Sequence, residues 1–232
     1  MLETSFSVLI WLIILLIFGF VLDNLWKKIF SGNIYRLFLA PGIIIHELSH
    51  ALVGRMVGAK IEEINFFSKQ GGFVKYRSSD FVRPLSEMFI NFAPVLGGIG
   101  ALLFFSWILD LQMILWLADF QQPFFQGLRV VIQKIPSFVF ENWLKWQFWL
   151  FVYLAISIII CLIPSKVDIK NALGGILVIF ILGLIFPRFL EIIFNQYLGN
   201  ILVFGSMLGF LALIFTLPVF CVINLINNYD KI

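Results

Sequence analysis

Apolar residues run along the chain in six long blocks, at about 5–22, 37–56, 84–109, 143–163, 169–186 and 201–223, with polar stretches between them. Blocks of roughly 20 residues match the length a helix needs to cross the hydrocarbon core of a bilayer. The pattern predicts an all-α polytopic membrane protein of about six transmembrane helices. Pro41-Gly42 breaks or starts the second block, and Trp26, Tyr35, Trp143, Trp146 and Tyr197 lie near block ends, where amphipathic rings suit the membrane interface. Two connections exceed a tight turn. Residues 59–83 are polar, and Phe73-Val74-Lys75-Tyr76 after Gly71-Gly72 reads as a turn followed by a strand. A small β element is therefore expected after the second helix. Residues 110–142 mix Trp116, Phe124, Phe125 and Phe138 with Gln, Arg and Lys, the composition of an interfacial, partly helical segment. Neither an internal repeat nor a low-complexity linker divides the chain, so 1–232 is expected to form a single domain.

Composition agrees with this picture. Of 232 residues, 61% are hydrophobic and 12% charged, against about 45–50% and about 25% in soluble domains. No globular core could enclose that much apolar surface, so the lipid bilayer is the expected solvent. The net charge of +3 is scattered, which leaves no basic face for nucleic acid. Cys161 and Cys221 lie in apolar runs and read as small core residues. The first block is too long for a signal-peptide core, nothing basic precedes it, and no small-residue cleavage site follows, so a retained helix is expected there. Placing 59–83 and both termini in the cytoplasm puts nine Lys and Arg inside and seven outside. That bias, though slight, predicts an active site toward the cytoplasmic face.

The second block carries the chemistry. His46-Glu47-Leu48-Ser49-His50 is an H-E-x-x-H motif, and these are the only two histidines in the chain. Positions i and i+4 of a helix share a face, so both imidazoles can reach one metal ion, with Glu47 beside them to accept and return a proton. Ionisable groups at membrane depth cost at least about 2.5–3.5 kcal/mol on insertion scales, so they are usually functional. Gly42, Gly54 and Gly58 share the histidine stripe at steps of four, and glycine lets another backbone come close.

Taken together, the motif and its surroundings resemble the site-2 protease family of intramembrane zinc metalloproteases. Three features match in order: the H-E-x-x-H within an apolar span, Gly71-Gly72-Phe73-Val74-Lys75 after a polar loop, and Asn91-Phe92-Ala93-Pro94 in the next span. The resemblance covers about residues 37–105. It implies a Zn2+ cofactor held by His46, His50 and an aspartate from a later span, with Glu47 as general base and then general acid. The implied substrate is a membrane-spanning segment of another protein. The family's aspartate usually precedes a glycine. The corresponding segment here is Pro164-Ser165-Lys166-Val167-Asp168, and Gly174-Gly175 comes only six residues later. Asp168 is the expected third ligand. Its spacing from Ser165 is also that of a helix start, so it can cap its helix as well.

Gly72, Phe73 and Val74 are expected to receive an extended substrate segment by edge pairing. Asn91 suits either a hydrogen bond to substrate backbone or a contact between spans. Glu87, Glu141 and Glu191 are the competing acids: the first two lie near block ends, and Glu191 follows Pro187-Arg188. Gly97, Gly98 and Gly100 read as packing positions. Gly205-Ser206-Met207-Leu208-Gly209 is a small-xxx-small pattern that suits a close helix contact, within the chain or between copies of a homo-oligomer. The leading expectation is an intramembrane zinc endopeptidase. The alternatives are a proteolytically inactive zinc-binding membrane protein, acting as a binding or chaperone-like subunit, and a transporter or structural membrane protein whose motif is incidental. An intact Glu47 argues against the inactive form, because a purely structural site needs no base.

Overall fold

A computed structural model of the protein describes residues 2–30, 32–68, 71–77, 83–111, 124–185 and 198–229. Among them the order is α1 (Leu2–Ile29), α2 (Gly32–Phe38), α3 (Ala40–Met56), β1 (Lys60–Ser68), β2 (Gly71–Arg77), α4 (Arg83–Ile108), α5 (Phe124–Asn142), α6 (Trp146–Cys161), α7 (Lys166–Ile185) and α8 (Gly199–Tyr229). Every predicted apolar block falls on a helix. Residues 8–29 of α1, all of α4 and residues 199–226 of α8 are each long and apolar enough to cross a membrane. Two further pairs pass the same test together: α2 with α3, bent by 63°, and α6 with α7, bent by 67°. The described residues thus hold three to five candidate spans of a multi-pass membrane protein. The predicted fourth and fifth blocks are the two arms of the second bent pair. Pro164 stands at their junction, where it offers no N–H and keeps the residue before it out of the helical region.

The mixed 110–142 connection carries the helix α5, while Trp116, Lys69, Arg188, Glu191 and Tyr197 lie outside the described residues. The β element is a two-stranded antiparallel hairpin, with Ile64 opposite Val74 and Glu63 opposite Lys75. Lys75 pairs with Glu63 at 2.7 Å, and Arg77 with Glu62 at 3.2 Å. Exposed pairs of this kind contribute at most about 1 kcal/mol. β1 did not show as a strand in the sequence. Its pairing slips between Ile61 and Glu63 and again between Asn65 and Ser68, and an extra residue breaks the period-two alternation by which strands are read.

The helix α6 is enclosed along most of its length, with Phe148, Phe151, Ala155 and Ile159 fully buried, and α1, α3, α4 and α8 pack around it. Gly205 and Gly209 of the small-xxx-small pattern meet Leu15, Phe18 and Ile99, so that pattern serves packing against α1 and α4 within the chain. On α1, Leu9, Ile13, Ile17 and Phe20 form an exposed stripe. An outward face that apolar belongs against lipid.

Candidate metal centre

The centre is built on α3. Pro41 stands in its first turn, where a missing N–H costs nothing. The following N–H, from Gly42, donates to Ser157 Oγ on α6 at 3.0 Å, so a helix end buried among other helices is still satisfied. A side chain at Gly42 would collide with the Ser157 carbonyl and the Cys161 thiol. The glycine that opens the stripe therefore admits α6. The far end of α3 closes in a Schellman motif: Ala59 N–H donates to Gly54 O at 2.8 Å, Gly58 N–H donates to Arg55 O at 3.1 Å, and Gly58 takes φ +81°.

Between these ends, His46 and His50 face one another with Nε2 atoms 3.1 Å apart. Each ring is oriented from behind. His46 Nδ1–H donates to Cys161 O at 2.5 Å, and His50 Nδ1–H donates to Ile90 O at 2.8 Å. With carbonyls as partners, both Nδ1 atoms must carry the proton, which leaves both Nε2 atoms as lone-pair donors. Two lone pairs at this separation repel unless a cation lies between them. Tetrahedral zinc with Zn–N near 2.0–2.1 Å would place two nitrogens about 3.3 Å apart.

Asp168 completes the group. One carboxylate oxygen, Oδ2, accepts from Ser165 N–H at 2.7 Å, and Ser165 Oγ accepts from Asp168 N–H at 3.1 Å, a reciprocal capping box that starts α7. The other oxygen, Oδ1, lies 3.7 Å from His50 Nε2. Capping and facing the imidazoles thus use different oxygens of one side chain. The carboxylate arrives there because α7 lies tightly on α4: a side chain at Gly175 would strike the Pro84 carbonyl and Met88. One donor atom each from His46, His50 and Asp168 lies within 4.8 Å of the others, so the cluster could hold a metal ion. Two imidazoles and one carboxylate form a donor set that suits a catalytic zinc, which takes three protein ligands and leaves a position open.

Glu47 stands outside this donor set, 6% exposed, under the start of β2. A side chain at Gly72 would meet Glu47 Oε1 at 2.6 Å, so the strand backbone passes directly over the carboxylate. Phe73 and Val74 follow along that strand, half-buried. Asn91, 2% exposed, donates from Nδ2 to Tyr76 Oη at 3.2 Å and to Glu87 O at 2.5 Å. It therefore joins α4 to the hairpin.

Several contributors carried little signal in the sequence. Cys161 O and Ile90 O are backbone atoms, and Tyr76 and Ser157 look ordinary in their segments. Tyr76, Asn171, Arg83, Glu87, Glu62 and Arg77 line a largely polar cavity of about 470 Å3 beside the hairpin. Burial pushes the Tyr76 phenol above its usual pKa, so it keeps its proton at neutral pH. Among the competing acids, Glu87 accepts from Arg83 at 2.8 Å and Glu141 is exposed on α5. Gly97 packs on Ser49, and Gly98 on Leu162 and Ile158, while nothing lies within 4 Å of a side-chain position at Gly100.

Comparison with known families finds a match over residues 8–196 to the family described as Peptidase M50B-like. The match takes in α3, the hairpin and the Asp168 cap. No curated protein and no solved structure matches the chain.

Proposed function

The chain belongs to the Peptidase M50B-like family of site-2-protease-like intramembrane metalloproteases, and on that premise we propose that it is a zinc-dependent endopeptidase that cleaves membrane-spanning segments of other proteins. The observation that carries this reading is the convergence of His46, His50 and Asp168, from two separate helices, with Glu47 beside them. His46 and His50 would hold zinc through Nε2, and Asp168 through Oδ1. Zinc, when bound, supplies Lewis-acid chemistry: it polarises a carbonyl and makes water acidic enough to lose a proton near neutral pH. Glu47 takes that proton on its carboxylate as the new C–O bond forms. It returns the proton to the amide nitrogen as the C–N bond breaks, so the two products leave as acid and amine.

A helical substrate shields its carbonyls in its own hydrogen bonds, so the segment must unwind before it can react. β2 favours the extended form. Its pairing with β1 occupies one edge, and Gly72 brings the strand backbone next to Glu47. The polar cavity at Tyr76 and Asn171 supplies a route for water, since Asn171 lies one helical turn beyond Asp168. For strand pairing, Val74→Pro is expected to lower cleavage at least about tenfold while zinc content stays unchanged, because proline offers no N–H to either edge. Val74→Ile should be close to wild type, since the pairing uses backbone atoms. A fully active Val74→Pro enzyme would remove β2 from the mechanism.

The direct test is to purify the full chain, reconstitute it with a single-span substrate protein and count zinc. About one zinc per chain is expected, with cleavage inside the span, loss of cleavage on chelation and recovery on adding zinc. Cleavage that survives complete zinc removal would refute the reading.

A further inference from the structure

The hydrogen bond that orients His50 depends on a proline. Ile90 lies inside α4, fully buried, and a carbonyl at such a position normally accepts from the N–H four residues on. Here that residue is Pro94, which has none. At membrane depth a buried carbonyl left in this way needs another donor, and His50 Nδ1–H supplies it at 2.8 Å. The contact works in both directions. It satisfies the orphaned carbonyl, and it holds His50 in the tautomer and ring orientation that turn Nε2 toward His46 and Asp168. His46 is treated alike, by a carbonyl at the end of α6, where Pro164 separates it from α7. Cys161 ends α6, and the N–H four residues on, at Ser165, is already taken by Asp168 Oδ2.

We propose that Pro94 is a positioning residue of the metal centre: by withholding an N–H from Ile90 it reserves that carbonyl for His50. The proposal rests on the zinc reading above. A proline that merely shapes α4 would act through its ring. A proline that acts as proposed works through the missing N–H, and the two can be separated chemically.

The experiment compares full-length wild type, Pro94→Ala and a protein with lactic acid at position 94. Lactic acid is the ester counterpart of alanine, lacking both the ring and the N–H. Zinc affinity is measured by chelator competition, and thermal unfolding is followed without metal. In Pro94→Ala the new N–H should close on Ile90 O and displace His50. Zinc affinity is then expected to fall about 10–100-fold, the usual cost of losing the hydrogen bond that orients a ligating imidazole, while the metal-free protein melts no lower than wild type. The ester protein should bind zinc nearly as wild type does. Wild-type affinity in Pro94→Ala, or an equal loss in both variants, would overturn the proposal. If Pro94→Ala does not fold, the ester protein decides alone: retained affinity supports the role and lost affinity refutes it. A wild-type chain that binds no zinc would instead bring down the metal reading itself.

Discussion

Glu47→Gln is expected to leave about one zinc per chain in place and to reduce cleavage by roughly 10²–10⁴-fold or more. The donor set does not include Glu47, so the imidazoles and the Asp168 carboxylate keep their geometry. Glutamine has nearly the same shape, which matters because Gly72 lies against this side chain with no room to spare. What changes is the proton chemistry, since an amide can neither accept a proton from water nor return one to the leaving nitrogen. Zinc counting and cleavage of a reconstituted span, run on the same preparation, separate the two effects. A mutant that cleaves at the wild-type rate would end the hydrolytic mechanism. One that loses zinc would show Glu47 to be structural.

Asp168→Ala carries the other large effect. Zinc affinity should drop by more than the roughly 10–100-fold typical of a change outside the ligand set. The stabilisation that bound zinc confers on the folded state should disappear with it. The capping role complicates this variant, because Asp168 Oδ2 also accepts from Ser165 N–H. Ser165→Ala resolves the ambiguity. It removes the hydroxyl that accepts from Asp168 N–H and should cost about 0.5–2 kcal/mol of stability, as lost caps do, yet it leaves Oδ1 free to face His50. The expected pair of results is zinc lost in Asp168→Ala and zinc retained in Ser165→Ala, by metal analysis of purified protein. Zinc retained in both would return the third position to another acid or to a second chain.

What the sequence determined by itself is local. Six apolar blocks specify helices, because a backbone in lipid must satisfy its own hydrogen bonds within each segment. The i, i+4 spacing places His46 and His50 on one face of whatever helix forms there. Pro164 and Ser165-Lys166-Val167-Asp168 mark a break and a new helix start, and both appear where expected. The hairpin was half legible. Gly71-Gly72 announced β2, while slips in register blurred the alternation of β1.

Tertiary structure decided the rest, through contacts between residues far apart in the chain. Asp168 could be recognised as a capping acid, but its meeting with His50 depends on α7 lying on α4 at Gly175 and on α4 lying on α3. The glycine stripe of α3 was visible, yet its occupant was not: Gly42 receives Ser157 of α6, and Gly54 receives Ile61 of β1. Gly205 and Gly209 could have served a second copy of the chain and instead seat Phe18 and Leu15 of the same one. The partners that orient the two imidazoles are the carbonyls of Ile90 and Cys161. Every residue has a carbonyl, so no residue type marks these two, and they become special only when a proline or a helix end leaves them open beside a histidine of another helix.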